Sequence, residues 1–92
     1  MSFVIDKQPC VSIIMPIRNE ELFIRGTIES LLQQDFEDFE LLIIDDDSQD
    51  GTKNILEEFC HRDSRIKVIY NKPKVSFVVS LNQGIKIANN PY

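Results

Sequence analysis

The chain lacks a basic excess, a long apolar run and any paired-cysteine motif. Ten Lys and Arg against fifteen Asp and Glu leave a net charge of −5, which argues against a general nucleic-acid binder, a class that carries a basic stripe. No apolar run approaches the ~20 residues of a membrane span, and residues 1–9 contain no secretory apolar core. The expected compartment is the cytoplasm, with the inner face of a membrane as the alternative. Cys10 and Cys60 have neither metal nor redox spacing, so buried free thiols are the expectation; they pair only if the fold brings them together. Internal repeats and low-complexity segments are absent. What remains is a 92-residue chain, 42% hydrophobic and 27% charged, the size of one small globular domain. At that length roughly two-thirds or less of the unfolded surface can be buried.

Hydrophobic spacing alternates between two periods along the chain. Residues 1–9 end in Pro9 and read as a loose amino-terminal lead, with the domain proper over 10–92. Cys10 to Met15 reads as a strand stopped by Pro16. Glu20 to Gln33 switches to helical spacing through Ile24, Ile28, Leu31 and Leu32, with Asn19 as the expected N-cap. Glu20 and Glu21 would suit the positive end of that helix's dipole. After a charged break at Asp35 to Asp38 comes a second strand, Phe39 to Ile44. Thr52 to His61 is helical again, capped by Asp50 or Ser48, with His61 on the surface. Ile66 to Tyr70 is a third strand and Val75 to Asn89 a third helix, separated by a loop holding Lys72 and Lys74. The predicted architecture is α/β: a three-layer, Rossmann-like β-α-β-α-β-α unit around a mainly parallel sheet. An unpaired edge of so thin a sheet would favour self-association.

The second strand ends in chemistry. Leu41-Leu42-Ile43-Ile44 runs straight into Asp45-Asp46-Asp47-Ser48-Gln49-Asp50-Gly51. Four consecutive aliphatics mark a strand buried on both faces, and the carboxyl end of such a strand is where open α/β sheets bind ligands. Adjacent carboxylates repel one another, so the cluster needs partners: backbone amides, a cation, or a ligand that offers N–H donors. Asp45, which ends the buried run, is the leading candidate for a functional role.

Two motifs together carry a resemblance. Val11-Ser12-Ile13-Ile14-Met15-Pro16-Ile17-Arg18-Asn19-Glu20 resembles the opening strand and turn of the family 2 glycosyltransferases. Ile43 to Thr52 is similar to that family's second-strand signature, and Leu81-Asn82-Gln83-Gly84-Ile85 to its closing helix. The resemblance implies the front half of a GT-A fold and transfer of a sugar, with inversion, from a nucleotide-sugar donor, commonly a UDP-sugar. Carried over, Pro16, Ile17 and Arg18 would lie along the uracil and ribose, with Glu20 near the ribose. Asp45 would accept the base N–H, with Asp46 beside it. The Mg²⁺ or Mn²⁺ ligands, an Asp-x-Asp, would lie beyond Tyr92, as would the general base. This stretch would therefore hold no catalytic or metal-binding residue and have little activity alone. The acceptor, saccharide or lipid-linked, is not legible.

Three departures from the pattern stand out. Asp47 and Ser76 replace glycines, and Leu81 stands where many members carry an arginine. Two other functions compete. A signalling receiver would need a phosphoacceptor Asp on a later strand, and the last Asp is Asp63, in a loop. A non-catalytic nucleotide-binding or scaffold module is the alternative that stays open.

Overall fold

The computed structural model describes residues 3–7, 10–34 and 38–88. The order is β1 (Phe3–Lys7), β2 (Cys10–Ile17), α1 (Ile24–Leu32), β3 (Phe39–Asp46), α2 (Thr52–Arg62), β4 (Ile66–Asn71) and α3 (Phe77–Ala88). The strands lie side by side in sequence order, β2, β3 and β4 parallel and β1 antiparallel to β2. This is the α/β unit with a mainly parallel sheet that the periodicity predicts.

Two local expectations change. Residues 3–7 are not a loose lead: their backbone pairs with β2, Val4 opposite Ile13, and adds a fourth strand. Nor does Pro16 stop β2, which continues to Ile17 in register with Asp45. The described pairing with β1 ends at Ile14, so no ladder bond on that side is lost at the proline. Pro9, Asp35, residues 89–92 and the Cys10 side chain fall outside the described residues.

Every residue of β3 is buried, because helices cover both faces of this central strand. The period of two sends Leu41 and Ile43 to one face and Leu42 and Ile44 to the other. On the first face Ile24 and Ile28 of α1 and Leu56 and Phe59 of α2 pack with Met15, Leu41 and Ile43. On the second, α3 closes over Ile14, Leu42 and Ile44. Gly84 is what lets α3 approach. A Cβ there would collide with Ile14 Cγ2 and lie 2.9 Å from Ile44 Cδ1.

The chain runs β2-α1-β3-α2-β4 with both helices on one side, then α3 lies on the other. That change of side puts a crevice at the carboxyl ends of β2 and β3, under the first turns of α3. Among the described residues no helix is long and apolar enough to cross a membrane.

Candidate functional site

The three consecutive carboxylates solve their mutual repulsion by pointing three ways. Asp45 is 0% exposed, on the α1/α2 side, where Oδ1 accepts a hydrogen bond from the Ser48 hydroxyl. Its Oδ2 has no partner among the described residues, and burial pushes its pKa up, against the opposing pull of Ser48 and Lys53. Asp46, on the α3 side, accepts the Val75 backbone N–H at 2.7 Å through Oδ1. Asp47 turns outward at φ 57°, where the sequence pattern has glycine, and Lys53 approaches it at 3.8 Å. An aspartate tolerates this left-handed conformation better than most residues with a Cβ.

The loops after β2 and β3 are stitched together beside this cluster. Asn19 donates its N–H to Ser48 Oγ at 2.9 Å and accepts the Gln49 N–H at 2.7 Å. Glu20 N–H donates to Thr52 Oγ1 at 2.9 Å, and Glu21 N–H to Asp50 Oδ2 at 3.3 Å. Asn19 is therefore not a helix cap. It sits at φ 53°, and α1 starts later, at Ile24, with Phe23 in the cap position. Asp50 does meet the start of α2, accepting the Thr52 N–H at 3.0 Å, and the Thr52 hydroxyl bonded to it holds its pKa down. Ser48 is engaged by Asp45 and Asn19 instead. His61 is exposed, and Cys60 is a half-buried free thiol whose pKa burial raises.

A cavity of about 440 Å³ opens at the crevice. Pro16, Ile17, Arg18 and Glu20 line it from the β2 side and Asp46 from β3. Lys74, Phe77 and Ser80 complete the wall from the β4–α3 connection. Five of the six candidate residues thus come together, and Asp45 does not. It lies behind the sheet from the cavity, where it supports the Asn19 loop through Ser48. The pleat divides them: Asp45 falls on the face of Leu41 and Ile43, under α1 and α2, and Asp46 on the face of Leu42 and Ile44, under α3. Sequence reasoning missed Phe77 and Ser80; Lys74 lies exposed in the loop where the sequence placed it and also lines the cavity. Asn71 was also missed: at the end of β4 it exchanges amide hydrogen bonds with Gln83 at 2.9 and 3.1 Å, which ties α3 to the sheet.

The described residues of the cavity wall include two cations, Arg18 and Lys74, and two carboxylates, Glu20 and Asp46. Among the described residues no cluster of three or more His, Cys, Asp or Glu could hold a metal ion. The geometry suits a polar, partly anionic ligand that offers an N–H to Asp46.

The comparisons with known proteins agree with this picture at the level of family. The model of glycosyl transferase family 2 matches residues 12–92. The chain belongs to this family. It is 39% identical over 84 residues to an uncharacterized glycosyltransferase of Haemophilus influenzae, covering 91% of this chain and 26% of that protein. It is 40% identical over 82 residues to the Escherichia coli glucosyltransferase WfgD, covering 89% of this chain and 32% of WfgD. The chain therefore spans about a quarter to a third of such relatives. Its fold superposes on a mannosyltransferase of Pyrobaculum calidifontis solved with GDP-Man and Mn²⁺, at a TM-score of 0.75 and 20% identity, over 83% of this chain and 23% of that one. That likeness establishes the GT-A type of fold for this glycosyl transferase family 2 chain.

Proposed function

We propose that this chain is the donor-nucleotide-binding part of a glycosyltransferase that uses a UDP-sugar, with Asp46 as the residue that reads the base. The observation that carries the reading is the state of the Asp46 carboxylate at the cavity wall. One oxygen is taken by Val75 N–H; among the described residues the other has no donor. Uracil presents a single imide N–H, which one carboxylate oxygen accepts as a charge-assisted hydrogen bond. Guanine presents two adjacent N–H donors, which engage both oxygens of a carboxylate side by side, and at Asp46 one of those oxygens already accepts the Val75 N–H. Two named proteins lend support in opposite directions. WfgD is a UDP-Glc:α-D-GlcNAc-diphosphoundecaprenol β-1,3-glucosyltransferase, whereas the Pyrobaculum enzyme was solved with GDP-Man. The geometry of Asp46 favours the first.

In the reaction an acceptor hydroxyl displaces the nucleoside diphosphate at the anomeric carbon with inversion, and a carboxylate outside these residues takes the proton. The part played here is binding and orientation. Pro16 and Ile17 offer apolar surface, Arg18 and Lys74 positive charge for the ribose-diphosphate, and Glu20 an acceptor for ribose hydroxyls. Two carboxylates, one of them committed to Val75, do not make a divalent-metal site, so a metal in the complete enzyme would be held by other residues.

The test is calorimetric titration of the chain with UDP and GDP. UDP should bind more tightly, and Asp46→Asn should weaken UDP by roughly 10- to 100-fold, the worth of a hydrogen bond to a charged group. Equal affinity for GDP, or an Asp46→Asn variant that binds UDP as well as wild type, would sink the assignment.

A further inference from the structure

Asp46 can grip only the edge of a base, and a base has two faces to cover as well. Unstacked bases gain much of their binding from a flat aromatic partner. Among the described residues Phe77 is the aromatic one on the cavity wall, and it is 47% exposed. An apolar ring half open to solvent beside four charged side chains gains free energy when a flat ligand covers it.

Its position is fixed relative to the base-reading carboxylate. Val75 N–H is bonded to Asp46 Oδ1 at 2.7 Å, so the backbone two residues before Phe77 is anchored on that side chain. Ser76 then starts α3: its hydroxyl accepts the Val79 N–H at 3.2 Å and its carbonyl the Ser80 N–H at 3.0 Å. One turn on, Ser80 and Gln83 are hydrogen-bonded to Asn71 at the end of β4. The ring therefore projects from a helix start held at three points, on the strand that carries Asp46 and on its neighbour. This gives the preorganised aromatic platform that stacking needs.

We infer that Phe77 is the stacking platform for the nucleobase, a specificity-determining position that works together with Asp46. The inference rests on the nucleotide-binding reading above. It divides the labour: Phe77 supplies affinity for any planar base through its face, and Asp46 selects which base through its edge. Loss of the ring should therefore weaken all nucleotides alike, while loss of the carboxylate should cost the uridine preference.

Proton NMR of UDP titrated with the chain tests this directly. In wild type the uracil H5 and H6 resonances should move upfield on binding, the signature of a ring stacked above them. Phe77→Leu, which keeps an apolar side chain at the helix start, should abolish that shift and weaken UDP by ~10-fold. Phe77→Trp should retain both, and inorganic pyrophosphate should bind wild type and the Leu variant equally. A folded Leu variant, judged by its dispersed amide spectrum, that binds UDP with unchanged affinity and the same upfield shift overturns the platform alone. Wild type that does not bind UDP overturns the nucleotide reading and the platform with it.

Discussion

The two faces of the sheet are built to different standards. Under α1 and α2 the core is deep: Ile24, Ile28, Leu56 and Phe59 pack on Met15, Leu41, Ile43 and Ile66, all of them buried. Under α3 the buried apolar set among the described residues is Ile14, Leu42, Ile44 and Ala88. Ile69, Leu81 and Ile85 pack against it only partly buried, and the polar Ser12, Glu40, Asp46, Asn71 and Ser80 are all nearly inaccessible. One face supplies stability, and the other gives up part of its packing to a cavity. The lesson is that a small sheet can carry a ligand site only where its packing is thin, so stability and binding should separate cleanly by face.

Substitution in the thick layer should have the largest effect. Phe59 is completely buried, and the guanidinium groups of Arg25 and Arg62 stand 5.6 and 4.8 Å from its ring centroid. Phe59→Ala removes the largest fully buried side chain described in the core and should cost about 3–5 kcal/mol. A domain of this length has roughly 5–14 kcal/mol in total, so the variant should be near the edge of folding. Urea denaturation followed by circular dichroism checks it. In whatever fraction remains folded, UDP affinity should match wild type, because Phe59 lies across the sheet from the cavity.

The thin layer should respond the other way round. Gly84→Ala places a methyl against Ile14 and Ile44, both themselves fully buried, so α3 has to lift rather than its neighbours yield. Overpacking of this kind costs about 1–3 kcal/mol. Lifting α3 also moves Phe77 and Ser80, which line the cavity, so UDP affinity should fall along with the urea midpoint. If Gly84→Ala lowers stability and leaves UDP binding untouched, the two faces are not specialised in this way.

Local pattern carried the elements well and their partnerships poorly. Helical spacing placed all three helices, and the aliphatic run at 41–44 marked a strand buried on both sides. β1 escaped because Phe3-Val4-Ile5 suits a strand but is too short a run to show its partner, which is β2. Asn19 followed by two glutamates has the local look of a helix start, yet its side chain is used on an amide 30 residues away in sequence. Asp45 and Asp46 are the sharpest case. The period of two already says that they face opposite sides, but which side holds the cavity depends on where α3 packs, and that is set far along the chain. Phe77 carried no local signal for the same reason.

The smallest effect concerns the aspartate that stays out of the cavity. Burial raises the pKa of Asp45 above its ordinary value of 3.8, so the folded state holds this proton more firmly than the unfolded chain does. Stability from this group is thus fully present below the ordinary value and is lost as pH rises through the raised one. Asp50, Glu58 and Asp63 slope the opposite way. Thr52, Arg25 and Arg65 respectively hold their pKa values down, so their contributions are present above the ordinary carboxylate range and are lost as pH falls. The effect of Asp45 is therefore read as a difference between two proteins measured over the same pH range. Asp45→Asn keeps an oxygen to accept the Ser48 hydroxyl, so the Ser48–Asn19 link that holds the β2 loop survives. It replaces a buried carboxyl group with one unpartnered oxygen by a neutral amide that is also short of a partner. At neutral pH the exchange should change stability by no more than about 1 kcal/mol. Between pH 4 and pH 8, the wild-type urea midpoint should decline relative to that of Asp45→Asn, while UDP affinity stays the same. Parallel midpoint profiles would mean that Asp45 does not carry the raised pKa. Lost UDP binding would return it to the site as a base-reading residue.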